Sequence, residues 1–404
     1  MSQFDVVRRS VTADQIYFDV TVSNFKSTNT IPPIFYYNDQ RTMPFINCPE
    51  DYYLSIIRFT METGTLPVFI PSIEPNQGNV NLTIYKVSLE ATVNISGVDT
   101  TFSQTNPIIW IPQDSSAPVP PPPNQTANKL QINDDGYYNC YSYTWWVLQI
   151  TQAFDDCFNA LNLQVTTAGG VLPSAYPPIV FWDSTSNGLV MYADVGGYNV
   201  DPALVALNEI KVFWNAPLFE LFPSVPAQYL GYNPAQNEKN FRIGFLNVGS
   251  VSLTTISPNP APVAPLPPTY EAITLYQECS TTANLTPITA VVFTSNTLPI
   301  QPSQVSTPVI LNEGGQVSLA GNNSDIANII TDLVSDTGSY RPNLVYVPQA
   351  EYRLITLYGN QPLFNLDLQI FYRLKSGQLI PFRIASGQAV TVKIAFIKKP
   401  SKVV

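Results

Sequence analysis

Residues 16–23 read IYFDVTVS. Ile16, Phe18, Val20 and Val22 alternate with Tyr17, Asp19, Thr21 and Ser23. A period of two sends each set to its own face of a pleated strand, so the segment reads as a half-buried β-strand. The rhythm returns near the other end of the chain. Leu366, Leu368 and Ile370 alternate with Asp367, Gln369 and Phe371 within 365–373, and Val390, Val392, Ile394 and Phe396 take every second place in 389–397. Between these ends, YYLSIIRF (52–59) reads as a strand, as do 106–111, 179–183, 188–193, 208–214, 241–246, 344–347, 351–358 and 379–384. In VNLTIYKVSLEATV (80–93), Val80, Leu82 and Ile84 lie on one face and Val87, Leu89, Ala91 and Val93 on the other. A one-residue slip flips faces, which predicts a bulge near Lys86. Short strands broken by Gly, Pro and Asn turns define an all-β class, a sandwich or barrel of antiparallel sheets.

Two segments carry the other period. Trp146, Ile150, Ala153, Phe154, Cys157, Phe158 and Leu161 recur at steps of three and four, which predicts a helix over 143–163 capped by Ser142 or Thr144. Its apolar stripe reads as packing onto a sheet. The same steps at Ile326, Ile329, Ile330 and Leu333 predict a shorter helix over 324–335 with Ser324 as its cap.

Composition agrees with the strands. Of 404 residues, 37 are Pro, well above the usual ~5%. Proline is kept out of helix interiors and central ladders, and collects in turns and long connections. Two tracts, PVPPPP at 118–123 and PNPAPVAPLPP at 258–268, read as stiff, extended surface loops. Only 12% of residues are charged, about half the usual share. A surface so poor in charge suits packing between neighbouring subunits. The net charge is −10, and no strongly basic arm is present to neutralise phosphates. Arg8, Arg9, Lys398, Lys399 and Lys402 near the ends offer at most weak contact with nucleic acid or an internal membrane.

The chemistry of catalysis is thin. Histidine is absent, which removes Ser–His and Cys–His pairs and the commonest zinc ligand. There is no phosphate-binding glycine loop. Asp155 and Asp156 are adjacent on the predicted helix and point apart, so they make no pair for glycoside hydrolysis. Asp134-Asp135-Gly136 lacks the rest of an EF-hand and reads as a turn. The expectation is a non-enzyme with no catalytic, cofactor or metal residues and no small-molecule substrate. Cys48, Cys140, Cys157 and Cys279 match no zinc or redox spacing. MSQFDVVRRS at the start has no apolar signal core, so the expected site of synthesis is a reducing, cytoplasmic compartment, with free, mostly buried thiols.

An internal echo bears on domain organisation. CPEDYYLSIIRFTMETGTLP (48–67) and CSTTANLTPITAVVFTSNTLP (279–299) both run from Cys through an apolar strand to Phe-Thr and then Thr-Leu-Pro. Phe59 and Phe293 are the matching residues. The echo predicts tandem sandwiches: an arm at 1–14, a first sandwich at 15–232, and a second at 233–404 that contains the 258–268 loop.

Four segments resemble virion proteins of virophage-like and polinton-like small DNA viruses: CPEDYYLSIIRFTMETGTLPVFIP (48–71), VFTSNTLPIQPSQVS (292–306), SDIANIITDLVSD (324–336) and LVYVPQAEYRLITLYGNQPLFNLDLQIFY (344–372). Shells of that family use double jelly-roll trimers and single jelly-roll pentamers. The resemblance implies a self-assembling capsid protein of the virion, whose partners are its own copies and other capsid proteins. With the echo, it favours a double jelly-roll major capsid protein forming a homotrimer. The alternatives are a penton or minor capsid protein at the vertices, or a jelly-roll virion protein that binds a glycan or receptor.

Overall fold

The computed structural model describes residues 14–25, 32–127, 129–198, 209–231, 238–245, 251–252, 271–305, 309–312, 315–318, 325–334, 343–346 and 353–400. These fall into two compact units. The first takes the chain up to Thr65 and from Ile288 onward; the second takes Leu66–Pro287. The all-β class holds, with antiparallel sheets throughout and few helices.

The first unit is a sandwich of eight principal strands. They are β1 (Gln15–Ser23), β2 (Tyr36–Gln40), β3 (Tyr52–Glu62), β4 (Ile288–Thr294), β5 (Ile329–Leu333), β6 (Asn343–Tyr346), β7 (Asn365–Leu374) and β8 (Ala389–Lys398). One sheet runs β1-β8-β3-β6 and the other β5-β4-β7-β2. Ile355–Thr356 also pairs with β3, and Leu379–Pro381 with β7. Every successive pair except β4–β5 changes sheet, which is the jelly-roll way of closing two sheets over one core. β3 and β4 are inner strands of the two sheets, and their Phe59 and Phe293 rings meet with centroids 5.2 Å apart. The echo therefore marks the two facing walls of a single core.

The second unit is built differently. A five-stranded sheet has the order Val98–Ile109, Leu82–Ile95, Ile210–Trp214, Phe241–Ile243, Ala227–Tyr229. A four-stranded sheet has the order Val251–Ser252, Glu271–Tyr276, Gly188–Asp194, Ile179–Asp183. The helix α1 (Tyr143–Thr167) joins them. Its Thr151 hydroxyl donates to the Val180 carbonyl (2.6 Å), and its Cys157 thiol lies 3.3 Å from the Gln104 carbonyl. All seven residues of the expected apolar stripe are buried. Ser142 is the N-cap residue, with no capping bond from its side chain. Ser96 (φ +53°) and Gly97 (φ +90°) turn the Leu82–Ile95/Val98–Ile109 hairpin, the left-handed pair that a two-residue turn of this twist requires.

Several expectations change in detail. The cut near 232 falls inside the range of the second unit, so the units are nested rather than consecutive. The expected helix over 324–335 is strand instead, Asp325–Ala327 and then β5; Ser324 lies outside the described residues. In β5, Thr331 pairs with Phe293 and Ile329 with Thr294, leaving Ile330 as an extra residue. That bulge resets the inward phase, so buried Ile330 and Leu333 stand three apart and imitate a helical step. The irregularity expected near Lys86 is present between Leu82 and Lys86. Four steps there span two on the partner strand, and an even excess keeps the faces. Thr83, Tyr85, Val87, Leu89, Ala91 and Val93 all point inward. Of the four thiols, Cys140 and Cys157 are buried, Cys48 is intermediate and Cys279 is exposed.

Candidate assembly surfaces

The first unit presents two open edges. β1 and β2 are the outermost strands at one edge, and β6 and β5 at the other. Among the described residues, each such strand has one row of backbone N–H and C=O groups without a neighbouring strand in its sheet. Isolated proteins usually blunt such edges with Lys, Pro or bulges. β2 is Tyr-Tyr-Asn-Asp-Gln and β6 is Asn-Leu-Val-Tyr, with neither Lys nor Pro.

The β1/β2 edge is closed from inside by aromatics. Phe18 of β1 meets Phe45 at 5.0 Å and Phe396 of β8 at 5.8 Å. The Arg41 guanidinium sits 4.7 Å over Phe18 and pairs with Asp39 at 2.8 Å. Asn24 donates to the Ile384 carbonyl (2.8 Å), and the Ile384 N–H donates to Pro33 (2.9 Å), which ties the end of β1 to the start of β2. The Arg41 N–H donates to Phe364 (2.8 Å). Along this edge Phe25, Ile34, Tyr36, Met43 and Phe364 are exposed.

The β5/β6 edge is linked across the sheets by Arg353, which pairs with Asp332 of β5 at 3.1 Å, just before the Ile355–Thr356 strand that pairs with β3. Arg373 of β7 reaches the same carboxylate at 3.4 Å. Tyr346 of β6 stacks on Phe59 at 5.6 Å. Val334, Val345, Leu354 and Tyr358 are exposed here.

A buried carboxylate fixes the turn after β4. Asp367 of β7 is 1% exposed. It accepts from the hydroxyls of Ser295 (2.5 Å) and Thr297 (2.7 Å) and from the N–H groups of Asn296 and Thr297 (3.0 Å each). Burial pushes its pKa up, but these four donors outweigh burial and hold it below the ordinary carboxylate range. The sequence places Asp367 opposite the inward Leu366 and Leu368, and nothing in its alternation reveals that the Ser295-Asn296-Thr297 turn would bury it.

Several other charged groups are paired within their own unit. In the second unit Glu90 meets Lys239 at 2.7 Å and Lys211 at 3.5 Å. Burial raises the Glu90 pKa, and the two ammonium groups bring it below its usual value. Lys86 pairs with Glu238 at 3.0 Å, and Arg242 with Glu209 at 2.7 Å. At the C-terminal end, Lys399 Nζ donates to the Glu50 carbonyl (2.6 Å) and lies 5.1 Å over the Tyr53 ring, while the Lys398 N–H donates to Asp14 (2.8 Å). Lys402, Arg8 and Arg9 lie outside the described residues. Asp134-Asp135-Gly136 is a turn in which the Tyr137 N–H donates to Asp135 (2.9 Å). Burial pushes the Cys140 and Cys157 thiols up to about 12, which keeps them protonated. Among the described residues no His/Cys/Asp/Glu group is arranged to hold a metal ion.

The 118–123 tract has a pattern of its own. Ala117, Pro120 and Pro123 are buried, while Pro118, Val119 and Pro121 are exposed. A three-residue period is that of a polyproline II helix resting one edge on the protein. The 258–268 tract lies outside the described residues.

A jelly roll whose edge strands carry neither Lys nor Pro suits a subunit that packs against neighbours, and comparison with known proteins gives the class, a viral capsid protein. The chain belongs to the family described as Sputnik minor capsid protein V18/19, whose model matches residues 16–398. It is 28% identical over 221 residues to structural protein V19 of Sputnik virophage, covering 54% of this chain and 93% of that protein. It is 29% identical over 153 residues to the uncharacterized protein V18 of the same virus, covering 38% of this chain and 87% of that one. Among solved structures, a chain of the cryo-EM structure of the Sputnik virophage matches with TM-score 0.75 and 25% identity over 96% of this chain and 99% of that one. The mavirus penton protein matches with TM-score 0.57 and 11% identity over 95% and 100%, a likeness of fold alone. The chain is thus a structural component of a virion that assembles with other capsid proteins.

Proposed function

We propose that this chain is the vertex subunit of an icosahedral shell and closes into a five-fold ring with copies of itself. The observation that carries the reading is that, among the described residues, each chain forms one eight-strand jelly roll. A trimer with a six-fold outline requires two like sandwiches per chain. Here the second unit instead holds a 25-residue helix between unlike sheets. A five-fold vertex requires one sandwich from each of five chains. The minor-capsid description of the family favours the same reading over the major-capsid homotrimer expected from the echo. Native mass spectrometry tests it: a particle of five 44.6 kDa chains is expected. A trimer returns the major-capsid reading, and a stable monomer at high concentration removes both.

One observation favours a second role in the same protein. Phe219 and Phe241 stack at 3.8 Å with planes 11° apart, and exposed Tyr229 lies 5.1 Å from Phe241. An outward aromatic group of this kind suits stacking on a sugar. A glycan array probed with the wild type and Tyr229→Ala tests it; equal signals for the two proteins remove this role.

A further inference from the structure

The sandwich has two open edges, and they differ. An exposed apolar group standing alone on a surface needs no explanation, but several gathered on and just beyond the ends of edge strands do, Tyr36 and Val345 within β2 and β6 and the others flanking them. On the β1/β2 edge, Phe25 is 78% and Met43 75% exposed; on the β5/β6 edge, Val334 is 78% and Val345 63% exposed. Aromatic side chains bury 150–250 Å² each and aliphatic ones less, so, scaled by their exposure, covering the apolar residues of the first edge would remove roughly 600 Å² from water, and those of the second roughly 400 Å². With the polar groups and backbone between them, this approaches the ~800 Å² per partner of a standard stable interface.

We infer that the β1/β2 edge of one copy docks on the β5/β6 edge of the next. This inference rests on the ring proposed above and names its interface. The occupant is a second copy because one sandwich carries both halves of the contact, at opposite edges. Among the described residues each edge strand offers unpaired N–H and C=O groups, so each can satisfy the other by strand pairing. A contact between unlike faces is heterologous, and it closes into a ring when the rotation per copy divides a full turn. A contact of either edge with itself would stop at a dimer. The edge-to-edge contact does not set the number of copies.

The test uses two full-length single variants, Met43→Glu on one edge and Val345→Glu on the other. Both residues are exposed, so circular dichroism and melting should match the wild type. Each variant alone is expected to lose the ring, seen by native mass spectrometry as monomer at concentrations at least tenfold above those at which the wild type is assembled. Mixed one to one, the variants keep one intact contact per pair and should form heterodimers and nothing larger. A control, Leu163→Glu on exposed α1 surface, should leave the ring intact. If either edge variant still forms the ring, or the mixture stays monomeric, the edge-to-edge contact is wrong while the vertex reading stands. If the wild type forms a trimer that both edge variants dissolve, the contact stands and the vertex reading fails. A monomeric wild type overturns both.

Discussion

The two units bury their sheets in different ways. In the jelly roll, the sheets cover one another, and side chains such as Phe59 and Phe293 meet directly. In the second unit, α1 packs against Val98–Ile109, Leu82–Ile95 and Ile179–Asp183, and it buries Trp146, Phe154 and Phe158 on a wide face. The polar interior differs as well. Among the described residues both interiors leave buried polar atoms without a hydrogen-bond partner, Ser55 Oγ in the sandwich and Thr274 Oγ1, Trp146 Nε1 and Trp214 Nε1 in the second unit, but the sandwich also buries a carboxylate, Asp367, that is saturated with donors. A core of two facing sheets tolerates a buried charge where a turn can wrap it.

The largest test of this contrast is cavity formation. Phe293→Ala in the sandwich and Phe154→Ala on α1 should each cost about 4 kcal/mol. Calorimetry should show Phe293→Ala lowering one transition and Phe154→Ala the other. If either change moves both transitions together, the two cores unfold as one block and the contrast fails.

Next comes Asp367→Asn, expected to cost about 3 kcal/mol because it replaces a charged acceptor held by four donors. The sign with pH follows from the lowered pKa. The contribution is complete above the unfolded value of about 3.9 and is lost as pH falls toward the folded value. Denaturation midpoints of the wild type should therefore drop in that acid window, and those of the variant should be flatter.

Thr274→Val should have the opposite sign. It replaces a buried hydroxyl that lacks a partner with a methyl of the same shape, and a gain of about 1 kcal/mol is expected in urea denaturation. A loss of similar size would mean that the hydroxyl is satisfied.

The smallest effect concerns Asp155 on α1. Burial, with Asp156 beside it, pushes its carboxyl up to about 6. Between the unfolded value of about 3.9 and this one, the folded chain binds the proton more tightly, so stability falls as pH rises through the window. After allowance for solvent screening, Asp155→Asn should stabilise by about 1 kcal/mol at pH 8, with the gain gone below pH 4. A gain that is independent of pH would point to helix propensity instead.

Most strands could be read from the sequence because half-buried strands print a period of two. β1, β3, β7, β8 and the strand Ile179–Asp183 lie where alternation or apolar runs put them, and α1 lies where steps of three and four do. β5 reads as a helix in the sequence because a bulge converts that period locally into a step of three, and a bulge is a property of the pairing with β4 rather than of β5 alone. The exposed apolar groups at the sandwich edges carry no signal in the sequence, since an exposed Phe25 or Met43 has no pattern until its neighbours across the sheet are known.

What the sequence determined by itself was local: the strands, the long helix, and the lack of histidine-based chemistry, each of which depends on residue type and short-range spacing. Tertiary structure alone decided which strands face each other. The Phe59/Phe293 likeness is visible in the sequence, but two similar strands can line two separate cores or opposite walls of one. Only the folded chain, in which Leu66–Pro287 forms a unit between β3 and β4, brings them within 5.2 Å. Strand pairing depends on contacts between residues far apart in the chain, and spacing along the chain does not record them.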